Sequence, residues 1–225
     1  MTVVEAVIFD IDGLLIDSEP VWDRVRRGMA EEAGTTWNEA DHQAVMGVSS
    51  EEWADYMIER LELQQSRSEV IDGVIERMAE SYRGGIPWLP GALAAIDLAA
   101  AHYPVALASG SHRTLIDVVT ADDAVSGTFE VIVAADEVGA GKPAPDVYLA
   151  AAERLGVEPS ACVCLEDSGN GILSGVRAGM RVIAVPDPRF PPAEEILERP
   201  DLVLSSLTDL TAAHLAHPGA RPAAG

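Results

Sequence analysis

The run Val7-Ile8-Phe9-Asp10-Ile11-Asp12-Gly13 constrains the fold more than any other stretch of the chain. Its three leading apolar residues read as a short buried strand. The strand ends in two carboxylates one residue apart, and buried acids are costly unless something positive meets them. A divalent cation is the obvious partner, because hard cations take carboxylate oxygens. Gly13 then lets the backbone turn sharply. One acid could attack a substrate while the other handles protons; a polar strand end followed by a turn is the plainer reading of the fragment alone.

The remainder of the chain supplies the context. From Glu19 to Gly85 the spacing is helical, with Trp53, Met57 and Leu61 on one face and Val70, Val74, Ile75 and Met78 on another. Ser49-Ser50-Glu51-Glu52 has the hydroxyl-then-acid order of a helix start. After Leu89 helices and strands alternate. Strands are expected at Val105–Ala108, Val131–Ala134, Cys162–Leu165, Val182–Val185 and Leu202–Leu204, and a terminal helix at Leu207–Leu215. This rhythm predicts an α/β fold: a doubly wound parallel sheet, a Rossmann-like core, with an inserted all-helical cap domain. The core is expected over residues 1–18 and 86–217, the cap over 19–85, and a disordered tail over 218–225.

Sites in such sheets gather at the carboxyl ends of the strands. The first strand ends in Asp10 and Asp12, the second in Ser109-Gly110-Ser111; the third leads to Gly139-Ala140-Gly141-Lys142-Pro143 and the fourth to Glu166-Asp167-Ser168-Gly169-Asn170-Gly171. Each piece alone is an ordinary loop or cap, and Pro143 stands where a nucleotide phosphate loop needs Ser or Thr. Together they suit phosphoryl transfer, where negative oxygens must be neutralised and aligned. Asp10 could attack phosphorus and form an aspartyl phosphate, and Asp12 could protonate the leaving alkoxide and later activate water. Magnesium on Asp10, the Asp12 carbonyl and Asp167, the charge of Lys142, and Ser109 with the amides of Gly110 and Ser111 would hold the phosphate. His112 follows the serine loop and could touch substrate.

Charge narrows the partners. A net charge of -22 disfavours nucleic acid and anionic membrane surfaces, and no segment is apolar enough to span a bilayer. A leader is not apparent, so a cytoplasmic location is expected. Cys162 and Cys164 are too close for an unstrained disulfide and too few for zinc, which leaves buried thiols.

Asp10-Ile11-Asp12-Gly13, Ser109 after its apolar strand, Lys142-Pro143 and Glu166-Asp167 together resemble the haloacid dehalogenase superfamily of phosphotransferases over essentially the whole chain. The helical insertion is similar to the cap of its beta-phosphoglucomutase-like branch. Leu15-Ile16-Asp17-Ser18-Glu19-Pro20-Val21-Trp22-Asp23-Arg24 and Leu204-Ser205-Ser206-Leu207-Thr208 resemble hexitol and 2-deoxyglucose-6-phosphate phosphatases within it. The resemblance implies a nucleophile at Asp10, an acid/base at Asp12, phosphate contacts from Ser109 and Lys142, and Mg2+ on Asp167 with Glu166 as ligand or orienter. Dehalogenase members lack the second aspartate, and phosphonate-cleaving members carry a cap lysine that is absent between Glu19 and Arg83. A mutase needs a histidine near the first motif and an arginine in the cap loop, where this chain has Pro20-Val21-Trp22 and Gly47-Val48-Ser49-Ser50-Glu51.

The expectation is therefore a monomeric, magnesium-dependent phosphatase for a small phosphorylated metabolite, a sugar or polyol phosphate. Trp22, Gly47, Val48, Ser49, Ser50, Glu52 and His112 are the candidate selectivity residues. A sugar-phosphate mutase and a non-catalytic phosphate-binding or phosphorylation-switch module are the alternatives.

Overall fold

The apolar run before Asp10 forms β1 (Ala6–Phe9), buried along its whole length at the centre of a six-stranded parallel sheet. The other strands are β2 (Val105–Ala108), β3 (Val131–Val133), β4 (Cys162–Glu166), β5 (Arg181–Ala184) and β6 (Leu202–Val203). Their order is β3-β2-β1-β4-β5-β6. The order reverses direction at β1, which pairs with β2 through Phe9↔Leu107 and with β4 through Phe9↔Leu165. Ligand crevices in parallel sheets open at such a reversal, and it puts the acids after β1 beside those at the end of β4.

The computed structural model describes residues 3–216; the 218–225 segment, expected to be disordered, lies outside them. Two units are distinguished, Ser18–Ile86 and Met1–Asp17 with Pro87–Gly225. The first is all helical: α1 (Glu19–Glu32), α2 (Glu39–Ala44), α3 (Ser50–Leu61) and α4 (Arg67–Arg83). The second holds the sheet and α5 (Ala92–Ala100), α6 (Arg113–Thr120), α7 (Asp146–Leu155), α8 (Gly169–Arg177), α9 (Glu194–Leu197) and α10 (Ala212–Ala216). Among the described residues no helix is long and apolar enough to cross a membrane.

Period-two alternation divides the sheet's side chains between two layers. Ala6, Ile8, Ala106, Ala108, Val133, Cys162, Cys164, Val182 and Ala184 share one face with Val147, Tyr148, Ala151 and Ile172, and α7 and α8 pack there. On the other face α5 packs against β2. The first face is built of small residues, and α8 approaches closely: a Cβ on Gly175 would lie 2.4 Å from Cys164 Sγ. Both cysteines are buried free thiols.

Capping chemistry sets the helix starts in the all-helical unit. Asn38, Ser49 and Ser66 each accept from the third residue of their helix, and Asp41, Glu52 and Glu69 bond back to the cap amides. The expected face residues Trp53, Met57, Leu61, Val70, Val74, Ile75 and Met78 are all buried. Asp41, also buried, accepts from Arg60 Nε at 2.7 Å, Tyr56 Oη at 2.9 Å and the Asn38 amide at 2.9 Å. The terminal helix differs from expectation: Leu207–Asp209 is a 3-10 turn, Leu210 is extended, and α10 begins only at Ala212. The Ser206 hydroxyl caps the turn through the Thr208 amide, so local hydroxyl bonding wins over helical continuity.

Gly175→Ala is expected to cost about 1–3 kcal/mol by overpacking, outweighing alanine's better helix propensity. Cys164→Ala removes the sulfur it strikes, so the two losses should be less than additive in denaturant midpoints; additive losses would put the clash elsewhere. A second expectation concerns acid. Burial alone would raise the Asp41 carboxyl, but the Asn38 amide, Arg60 and Tyr56 hold it below the ordinary carboxylate value. Such a group stabilises the fold above its unfolded pKa of about 4, and the contribution is lost as pH falls through the depressed folded value. Asp41→Asn should therefore lower Tm at pH 7, with parent and variant converging below about pH 4. A Tm gap independent of pH would exclude this role.

Candidate active site

Four chain segments meet at the carboxyl ends of β1, β2 and β4. Beyond β1, the Asp10 amide donates to Leu165 O at 3.1 Å, which carries Asp10 along β4 into a nearly buried position. Asp12 follows, and Gly13 turns the chain at φ +79°. The turn needs glycine for space as well as angle, since a Cβ there would lie 2.2 Å from Asp167 Oδ2. At the end of β4, Glu166 is fully buried and Asp167 is next to it. A Cβ on Gly171 of α8 would fall 1.9 Å from the Glu166 carboxylate. The glycine is what leaves room for that side chain.

Lys142 ties these ends together. Its ammonium donates to Asp10 Oδ1 at 2.5 Å, Glu166 Oε1 at 2.6 Å and Ala108 O at 2.9 Å. An ammonium has three N–H groups, so these bonds use all of them. One cation thus joins the ends of β1, β4 and β2. Lys142 is also the only lysine among the 225 residues. A compact ammonium suits three converging acceptors better than a planar guanidinium does.

The remaining bonds separate the acids by environment. Glu166 Oε1 also accepts from Tyr148 Oη at 2.8 Å, and its Oε2 lies within 3.1–3.3 Å of the Asp167 amide and the Ser168 amide and hydroxyl. Protein donors therefore occupy both oxygens. Asp167 Oδ1, by contrast, is buried without a hydrogen-bond partner among the described residues. Asp12 Oδ2 accepts from Ser111 Oγ at 2.6 Å and, more distantly, from Ser109 Oγ at 3.5 Å. The Ser111 amide is turned inward to Ser109 Oγ at 3.0 Å.

Electrostatically the cluster is short of positive charge: Asp10, Asp12, Glu166 and Asp167 share one ammonium. Burial pushes the Asp10 carboxyl upward, with Glu166 and Asp12 acting in the same direction against Lys142. Burial, Glu166 and Asp10 likewise raise Asp167 well above the ordinary range. Burial by itself would lower Lys142, but Asp10 and Glu166 more than compensate and keep it charged. One oxygen each from Asp10, Glu166 and Asp167 lies within 4.8 Å of the others. An all-oxygen set with an orphaned carboxylate oxygen fits a hard divalent cation. The Asp12 carboxylate stands outside that group.

The other sequence candidates, His112 apart, belong to the all-helical unit. Trp22 is on α1, its ring 6.1 Å from that of Trp53 and covered by the Arg26 guanidinium at 5.0 Å. Gly47, at φ +69°, and exposed Val48 form the turn before α3, and Ser50 is its first residue. Ser49 and Glu52 spend their side chains on the α3 capping box. His112 precedes α6, with Nδ1 3.7 Å from Asp136 Oδ2. Sequence reasoning missed Tyr148, which in the sequence is indistinguishable from a core aromatic on the apolar face of α7.

Known proteins resemble this chain in sequence and in fold. The model of the haloacid dehalogenase-like hydrolases matches residues 4–179. Hexitol phosphatase B of Escherichia coli is 37% identical over 219 residues, covering 93% of this chain and 96% of that protein. A phosphorylated carbohydrates phosphatase of Thermotoga maritima is 33% identical over 182 residues, covering 80% and 84%. The solved structure of a CbbY variant from Rhodobacter sphaeroides in complex with xylulose-(1,5)bisphosphate superposes with a TM-score of 0.80 at 26% identity, covering 95% of this chain and 100% of that one. The matched residues include every strand end that Lys142 joins, and the chain belongs to the haloacid dehalogenase-like hydrolase family.

Proposed function

We propose that the protein is a magnesium-dependent phosphatase that hydrolyses a small phosphomonoester, a sugar or polyol phosphate, through an aspartyl phosphate on Asp10. The observation that carries this reading is the Lys142 ammonium on Asp10 Oδ1, with Asp12 held by Ser111 at the same rim. The names of the relatives, phosphatases of hexitols and of phosphorylated carbohydrates, support the substrate class.

In this reading Lys142 orients Asp10 and offsets the charge of the phosphoryl oxygens. A free Asp10 oxygen attacks phosphorus, forming an O–P bond as the ester P–O bond breaks. Asp12 gives a proton to the departing alkoxide. Asp12 then takes a proton from the water that cleaves the aspartyl phosphate, which releases phosphate and restores Asp10. Ser109 and the Gly110 amide steady the phosphoryl oxygens. Asp10, Asp167 and the main-chain carbonyl of Asp12 would hold magnesium, which would supply the positive charge that the carboxylate cluster and the phosphoryl group both require. Glu166 has its oxygens filled by protein donors and acts as the anchor of Lys142. The all-helical unit serves as a cap, and Trp22, Val48 and Ser50 are its selectivity residues.

Phosphate release from a panel of sugar, polyol and nucleotide phosphates tests the reading. Release should appear with magnesium, vanish with a chelator and return on adding magnesium back. Asp10→Asn should lower kcat at least about a thousand-fold, and Asp12→Asn about 100- to 10,000-fold. Parent-like release by Asp10→Asn would remove the nucleophile assignment.

A further inference from the structure

Tyr148 is fully buried on the face of α7 that packs against β1, β2 and β3. Phenylalanine would fill the same space, whereas a hydroxyl at this depth is costly unless bonded. Its hydroxyl donates to Glu166 Oε1 at 2.8 Å. The oxygen is also 3.4 Å from Lys142 Nζ, but the three ammonium protons are better placed on Asp10, Glu166 and Ala108. The hydroxyl proton is therefore directed to Glu166, the acceptor that competes with Asp10 for the lysine. The ring centroid is 4.9 Å from Nζ, and the hydroxyl end of the ring is the part nearest the ammonium.

We propose that Tyr148 is a positioning residue for Lys142: its hydroxyl satisfies part of Glu166, so that the lysine stays seated on Asp10 instead of being drawn toward Glu166. The inference rests on the reading of Asp10 as nucleophile and Lys142 as its charge partner. It adds a residue that touches neither substrate nor reacting atoms and acts through two others.

The test is Tyr148→Phe, which keeps the ring and deletes the hydroxyl, with two readouts. In steady-state phosphate release, kcat should fall about ten-fold, the scale of one lost hydrogen bond of ~1.4 kcal/mol, with KM unchanged within about two-fold. An unchanged kcat, or a loss confined to KM, would overturn the proposal. The second readout is independent of activity. Because Lys142 is the only lysine, protein labelled with 13C at lysine Cε gives a single side-chain correlation set. The lysine Cε and Hε shifts should move in Tyr148→Phe as the ammonium is drawn from Asp10 toward Glu166. Identical parent and variant spectra would overturn the proposal even if kcat had fallen. If the parent released no phosphate from any phosphomonoester, the phosphatase reading would fail, and the lysine spectrum alone would decide whether Tyr148 seats Lys142.

Discussion

One ammonium holds the ends of three strands. Lys142 arrives on the segment between β3 and α7 and bonds the residue after β1, the last residue of β4 and the last carbonyl of β2. The strand order makes this possible: β1 lies between β2 and β4, so a cation above β1 reaches all three. Removing a partner from such a junction leaves a buried charge uncompensated, which is among the costliest local changes in a protein. The arrangement therefore constrains the packing around it as strongly as it enables chemistry.

Small residues make the junction fit. Gly13 gives way to Asp167, Gly171 to the Glu166 carboxylate, and Gly175 to Cys164. Two of the three lie on α8, so this helix approaches β4 closely by omitting side chains. Its N-terminal amides and the Ser168 cap sit against the end of β4, where Glu166 Oε2 meets the amides of Asp167 and Ser168. Carboxylates are favoured at a helix start, and Glu166 is both the inner partner of Lys142 and a neighbour of that start.

Much of this was legible in the sequence, and for physical reasons. Apolar runs that end in polar residues mark buried parallel strands, so β1, β2 and β4 could be placed within a residue or so, and with them the loops carrying Asp10, Ser109 and Glu166. Boundaries set by local hydrogen bonds were harder. The terminal helix breaks at Leu210 because Ser206 captures the preceding turn, and α8 starts at Gly169, ahead of its first apolar residue, because Ser168 caps it. Burial of Tyr148 follows from helical spacing, but spacing carries no information about where a hydroxyl proton points. Glu52 illustrates the converse. An acid in the first turn of a helix looks available for a ligand, yet its carboxylate bonds the Ser49 amide at 2.9 Å.

The adjacent acids at the end of β4 show what sequence identity leaves open. Glu166 and Asp167 carry the same charge, but consecutive residues of an extended strand face opposite ways. The longer side chain turns inward beneath α8 and is filled by donors from Lys142, Tyr148 and the loop. The shorter one faces Gly13 with an oxygen left unmatched. A carboxylate already saturated by protein donors has little to offer a cation, whereas an orphaned buried oxygen is stabilised by one. The contrast between a carboxylate filled by protein donors and one with an oxygen left open thus follows from one methylene and one change of direction, and the glycines facing each acid make room for both.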